Sequence, residues 1–176
     1  MNNKKAKTVI VLGSGGHTAE MMVVLNNLNK AFYSPRLYVV ANTDKLSKEK
    51  VKQFEDSSSD HEVFEITRSR EVKQRFVTAF FTTLLAFLNC FPLIWKERPD
   101  LVLCNGPGTC IPVCFAALIL RWIRRIPKCK IVFIESFCRV KTLSLSGKLL
   151  KPFVDMFVVQ WEDLVDEKSS YFGPIM

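Results

Sequence analysis

Histidine occurs only twice in this 176-residue chain, and no two of its six cysteines stand in a C-x-x-C pair. The usual structural zinc ligand sets are thereby removed. No acidic cluster of the D-x-D kind is present, so no metal and no cofactor are expected. The two common nucleotide fingerprints are missing as well. A P-loop would need Gly-Lys-Ser/Thr, and Gly147-Lys148 is followed by Leu149. The glycine turn near the N-terminus would need a third glycine where Thr18 stands. Residues 1–7, MNNKKAK, contain no signal-peptide apolar core, which points to the cytosol. There is no internal repeat and no DNA- or RNA-reading motif. The only low-complexity stretch, 56–60 (DSSSD), reads as a solvated loop.

What is present describes one well-buried domain, 8–176, behind a polar tail, 1–7. An apolar content of 48% is high for a soluble monomer and implies apolar surface covered by a membrane or a partner. A net charge of +8 favours anionic partners, phosphates and acidic headgroups among them. Short β-branched runs at 8–13, 37–41, 62–67, 101–105, 130–135 and 156–160 suit strands buried on both faces. Helical patterns fill 17–30, 44–56, 70–97, 109–125 and 144–154. This alternation predicts an α/β fold, a Rossmann-like parallel sheet flanked by helices. The cysteines, at 90, 104, 110, 114, 129 and 138, fall mostly on strands or apolar helix faces, where a reduced thiol packs as a small hydrophobe.

Three loops leave the carboxyl ends of strands, where parallel sheets bind ligands. The first is Gly13-Ser14-Gly15-Gly16-His17: its glycines permit close backbone approach, and the amides beyond them open a helix. Either it cradles a phosphate or it is a plain tight turn. The second is Asn105-Gly106-Pro107-Gly108-Thr109, and the third contains Glu135, Ser136 and Arg139. Together they offer glycine turns, an imidazole, a carboxylate and a guanidinium around one crevice.

Residues 76–95, FVTAFFTTLLAFLNCFPLIW, carry no charge. As a helix they extend about 30 Å, enough to cross a bilayer. They also join two strands expected in one sheet, so a monotopic contact fits better than a crossing. Arg68, Arg70, Lys73 and Arg75 precede the segment, and Lys96 and Arg98 follow it. Phe76, Phe80, Leu84 and Phe87 are the expected membrane contacts; a buried core or protein interface is the other reading.

The stretches GSGGHTAE, TRSREV, KERPDLVLCNGPGTCIP, FIESFCRVKTLSLSGK and FVVQW resemble one family across roughly residues 8 to 173. It is the membrane-recruiting subunit of the two-subunit UDP-N-acetylglucosamine transferase of dolichol-linked oligosaccharide synthesis. GSGGH is shared more loosely with the bacterial enzyme that makes lipid II, which has a two-domain GT-B fold. The resemblance implies a domain equivalent to the N-terminal half of a GT-B enzyme. It implies a partner subunit that holds most of the UDP-GlcNAc donor, and dolichyl-diphosphate-GlcNAc as acceptor. It places the complex on the cytosolic face of the endoplasmic reticulum membrane, without nucleic acid. Residues 13–16, 105–109, Ser136 and Arg139 match loops implied to hold acceptor and diphosphate. Relatives usually carry an N-terminal transmembrane anchor. Here only seven residues precede the first strand, so either a segment precedes residue 1 or attachment rests on the apolar helix and basic surface.

The implied reaction is inverting sugar transfer, with His17 as first and Glu135 as second choice of base. Each has a plainer reading: His17 orienting its loop, Glu135 binding acceptor sugar. A stand-alone nucleotide-binding Rossmann protein, a bacterial-type polysaccharide glycosyltransferase subunit and a recruiting scaffold remain the rival classes.

Overall fold

The computed structural model describes residues 5–55, 60–69, 74–106 and 108–175, with the side chain of Phe76 excluded. Most of the loop at 56–60, together with Arg70, Lys73 and Pro107, lies outside the described residues. The elements alternate strictly: β1 (Thr8–Val11), α1 (Gly16–Asn26), β2 (Arg36–Ala41), α2 (Lys45–Phe54), β3 (His61–Ile66), α3 (Phe76–Glu97) and β4 (Leu101–Asn105). They continue through α4 (Cys110–Trp122), β5 (Lys130–Ile134), α5 (Leu145–Leu150) and β6 (Met156–Val159) to β7 (Ser170–Tyr171). The strands form one parallel sheet in the order β3-β2-β1-β4-β5-β6-β7.

Strand periodicity produces two cores. Val9, Val11, Val39, Val102, Cys104 and Phe133 face one side, against α3, α4 and α5. Ile10, Leu12, Tyr38, Val40, Leu103 and Ile134 face the other, where Met21 and Leu25 of α1 and Val51 of α2 pack. Alternate residues point to opposite faces, and apolar residues at both phases bury the strands on both sides. The chain winds from β1 toward β3, then returns through α3 to β4 on the far side of β1. That reversal opens a crevice at the carboxyl ends of β1 and β4.

The Rossmann-like class read from the alternation is the observed one; the boundaries moved locally. α1 stops at Asn26, and α5 is confined to Leu145–Leu150 with Ser144 as its N-cap. Gln74 and Arg75 lie outside α3, which starts at Phe76. β7 was not anticipated, because two residues are too few to display a period.

Five cysteines are buried and Cys138 is exposed. Burial pushes the Cys90 and Cys129 thiols up to about 12 and raises that of Cys104 well above the ordinary range. These side chains remain protonated and pack as small hydrophobes, as their positions implied. On the opposite side of the sheet, Glu55 beyond α2 takes a bidentate pair from Arg36 (2.5 and 2.8 Å) and the Tyr38 hydroxyl (2.5 Å). This fixes the end of α2 to β2.

Candidate functional site

The first loop is held from below and open above. The Gly13 carbonyl accepts from the Thr18 hydroxyl, and Ser47 Oγ lies 3.3 Å from it. Ser47 Oγ donates to Asp44 Oδ2 at 2.6 Å. Above this base Ser14, Gly15 and Gly16 are exposed. Gly15 has φ +66°, a conformation that favours glycine, and no heavy atom lies within 4 Å of where its Cβ would be. α1 opens without a side-chain cap, so its first amides face the open side. Arg68 reaches the same loop, donating from Nη2 to Ser14 Oγ at 3.2 Å and from Nη1 to Thr43 Oγ1 at 3.4 Å. A cation that the sequence pattern grouped with the membrane segment thus stands beside the glycine turn.

The second loop meets the first directly. His17 Nδ1 lies 3.2 Å from Asn105 Oδ1. Gly106, at φ +63°, supports the ring: a Cβ there would sit 2.5 Å from His17 Cε1. Only glycine permits that approach. Gly108 is half-buried, Thr109 is buried, and Pro107 lies outside the described residues.

Glu20 joins all three loops. Its side chain is buried at 4% exposure. Oε2 accepts from Asn105 Nδ2 at 2.9 Å, and Oε1 accepts from Ser136 Oγ at 2.8 Å. Residue-type reasoning missed this carboxylate, although a signal existed. Glu20 stands three residues after His17, hence on the same face of α1.

Glu135, by contrast, does not open to the crevice. It is 0% exposed. Oε1 accepts from the Ser136 amide at 3.0 Å, while Oε2 accepts from the Ser144 amide at 2.8 Å and the Ser144 hydroxyl at 3.0 Å. Ser144 Oγ in turn caps α5 through the Gly147 amide at 2.9 Å. The carboxylate expected from the sequence as base or sugar ligand is thus engaged in anchoring the third loop to the N-cap of α5. Arg139 remains exposed beyond that loop, with its amide bonded to the Ser136 carbonyl at 2.9 Å.

A separate surface lies along α3. The helix is long and apolar enough to cross a membrane, yet it joins β3 and β4 of one sheet and packs beside α4. It buries only a narrow ridge: Ala79, Ala86, Cys90 and Ile94. Phe80 (66% exposed), Phe81, Leu84, Leu85 and Leu88 remain outside. Phe80 and Leu84, expected from the sequence as membrane contacts, are both exposed. Phe87 is not: it turns inward onto the core and contacts the Phe91 ring. Its place in the exposed row is taken by Leu88. At the end of α4, Trp122 is 84% exposed beside exposed Ile123.

A family profile described as "Oligosaccharide biosynthesis protein Alg14 like" matches residues 8–175. The chain is 48% identical over 179 residues to the UDP-N-acetylglucosamine transferase subunit ALG14 of Rattus norvegicus, covering 96% of this chain and 82% of that one. It is 42% identical to the subunit of the same name from Schizosaccharomyces pombe, covering 94% and 81%. Among solved structures, Acinetobacter baumannii MurG superposes with a TM-score of 0.70 at 14% identity, over 96% of this chain. This chain spans 45% of that MurG chain, and at such identity the likeness concerns the fold. The sheet, its flanking helices and the match along 8–175 agree: this chain belongs to the Alg14-like family of oligosaccharide biosynthesis proteins.

Proposed function

We propose that this chain is the acceptor-binding, membrane-recruiting subunit of a UDP-N-acetylglucosamine transferase. It adds the second GlcNAc to dolichyl-diphosphate-GlcNAc at the cytosolic face of the endoplasmic reticulum. The observation that carries this reading is the meeting of His17, Asn105 and two glycine turns at the switch point of the sheet. The relatives' name, a transferase subunit, supports a second chain that holds the donor. UDP-GlcNAc is then the only nucleotide needed, and no further cofactor is invoked.

The open amides of α1, the Gly15 turn and Arg68 suit the acceptor diphosphate. Gly13, Ser14 and Gly16 of the first loop, Asn105, Gly106, Gly108 and Thr109 of the second, and Ser136 and Arg139 of the third are assigned to the same acceptor site. The reaction is one in-line displacement. The acceptor hydroxyl attacks the anomeric carbon, the bond to UDP breaks, and its electron pair leaves with UDP. His17 takes the hydroxyl proton, because its imidazole is half-exposed at the crevice while Glu135 is sealed.

The α3 surface, extended by Trp122, docks on the cytosolic leaflet as a monotopic contact. Lys96, Arg98 and Arg124 at the ends of the same helices suit acidic headgroups.

Reconstitution with the cognate donor-binding subunit and a short-chain lipid diphosphate acceptor tests the assignment. Activity is expected only from the pair; full turnover by this chain alone overturns it. His17→Ala should keep partner binding and lower kcat by about 10²–10⁴-fold. A normal rate removes His17 as the base. Phe80→Ser with Leu84→Ser and Leu88→Ser should release the folded subunit from acidic liposomes; unchanged binding rejects this face as the docking surface.

A further inference from the structure

The hydrogen bonds behind His17 allow only one arrangement of protons. The Asn105 amide cannot be turned over. Its Nδ2 faces two acceptors, Glu20 Oε2 at 2.9 Å and the Ile134 carbonyl at 3.4 Å. Reversal would aim a carbonyl oxygen at both. Oδ1 is therefore the atom presented to the imidazole at 3.2 Å. A carbonyl oxygen only accepts, so His17 Nδ1 must carry the proton, and the neutral ring keeps its lone pair on Nε2.

Glu20 is fixed from its other side too. Ser136 Oγ accepts from the Cys138 amide at 3.3 Å, so its own proton goes to Glu20 Oε1 at 2.8 Å. Both carboxylate oxygens are acceptors and both are used. Glu20, Asn105 and Ser136 are all buried. A Cβ at position 106 would meet the Cε1–Nδ1 edge of the ring and lie farther from Nε2, at 3.5 Å, so glycine there leaves that edge room beside Asn105.

We infer that Glu20 is a positioning residue: acting through Asn105, it holds His17 in the Nδ1–H tautomer and leaves Nε2 as the proton acceptor. The inference rests on the reading of His17 as general base. In the step it serves, the acceptor O–H bond breaks and its proton moves to Nε2. The hydroxyl oxygen bonds to the anomeric carbon, and UDP departs with the electron pair of the broken C–O bond. The imidazolium so formed then has protons on both nitrogens and returns one to solvent. A glutamine at position 20 would keep the shape and its oxygen on the Ser136 hydroxyl, and so offer an NH₂ to Asn105. The Asn105 amide would then turn to accept from that NH₂, giving up its long bond to the Ile134 carbonyl (3.4 Å), donate to Nδ1 and move the histidine proton to Nε2.

The test uses the full chain, labelled with ¹⁵N-histidine, in complex with its unlabelled partner subunit. Only two histidines contribute signals, and that of His17 is identified by its loss in His17→Gln. The wild-type complex should show a protonated Nδ1 and an unprotonated Nε2 near neutral pH. A protonated Nε2 overturns the inference, whatever the kinetics. Glu20→Gln should transfer the proton to Nε2 and lower kcat by about 10²-fold or more, with KM for donor and acceptor within about threefold. An unchanged tautomer or an unchanged kcat in a folded Glu20→Gln complex also overturns it. If Glu20→Gln fails to assemble, the wild-type tautomer decides. The two readings fail separately. A fully active His17→Ala complex defeats His17 as base without altering the tautomer result. An inactive His17→Ala complex beside a wild-type Nε2–H ring defeats the Glu20 inference alone.

Discussion

Glu20 and Glu135 are both buried glutamates at the carboxyl edge of the same sheet, yet their partners differ in kind. Glu20 is satisfied by two side chains, one from each of two other loops. Glu135 is satisfied by two backbone amides and the hydroxyl that caps α5. A carboxylate bound to side chains transmits its orientation to them. One bound to amides fixes the path of the chain. Residue type and burial are alike in the two cases, so only the identity of the donors separates a positioning role from an architectural one.

The sharpest way to break this contrast is Glu135→Ala. It leaves the Ser136 amide, the Ser144 amide and the Ser144 hydroxyl without their acceptor in the interior. A loss of about 3–5 kcal/mol in urea unfolding is expected. A loss below about 1 kcal/mol would mean that the carboxylate does not anchor the loop. Gly147→Ala probes the same anchor from the other side. In an ordinary helix interior that change gains about 1 kcal/mol. Here the new Cβ would lie 2.3 Å from Glu135 Oε2 and 3.2 Å from Phe157 Cζ. The variant should instead lose about 1–3 kcal/mol, read by the same unfolding curve.

Glu20→Gln sharpens the comparison in the opposite direction. It keeps volume and packing, so unfolding should move by only about 1 kcal/mol while turnover falls. A large stability loss with normal turnover would make Glu20 a second Glu135.

Asp155 supplies a third arrangement and the smallest effect. Partial burial alone pushes this carboxyl up. The Ile131 amide (3.0 Å), together with Lys130 (3.0 Å) and Arg121 (2.5 Å), outweighs burial and holds it below the ordinary value of 3.8. A depressed folded value means stability that is present above about pH 4 and lost as pH falls through the folded value. Asp155→Asn should cost about 1 kcal/mol at pH 7, and the gap from wild type should close in acid. A gap independent of pH would rule out the charge as its source.

Much of the site was legible as loops and little of it as bonds. GSGGH and NGPGT end apolar runs and precede helices, so their place at strand ends followed from local pattern. That the Gly106 backbone would lie under the His17 ring did not, because the two are far apart in sequence and joined only by the pairing of β1 with β4. The bonds of Glu135 were hidden for the same reason: its partner Ser144 is the N-cap of α5, and nothing in the FIESF stretch announces it. On α3 the composition revealed an apolar helix. Which apolar residues stay exposed depended on where α4 packs, and that turned Phe87 inward and left Leu88 outside.

By itself the sequence determined the alternation of strands and helices, their burial on both faces and the glycine turns at strand ends. These follow from periods of 2 and 3.6 residues and from the backbone freedom of glycine, which are local properties. Only the tertiary structure decided that Asn105 would reach back 88 residues to His17, and that Ser136 would reach Glu20 across 116. Such contacts depend on strand order, β1 beside β4 and β4 beside β5, and strand order is set by how the two apolar faces of the whole sheet are covered at once.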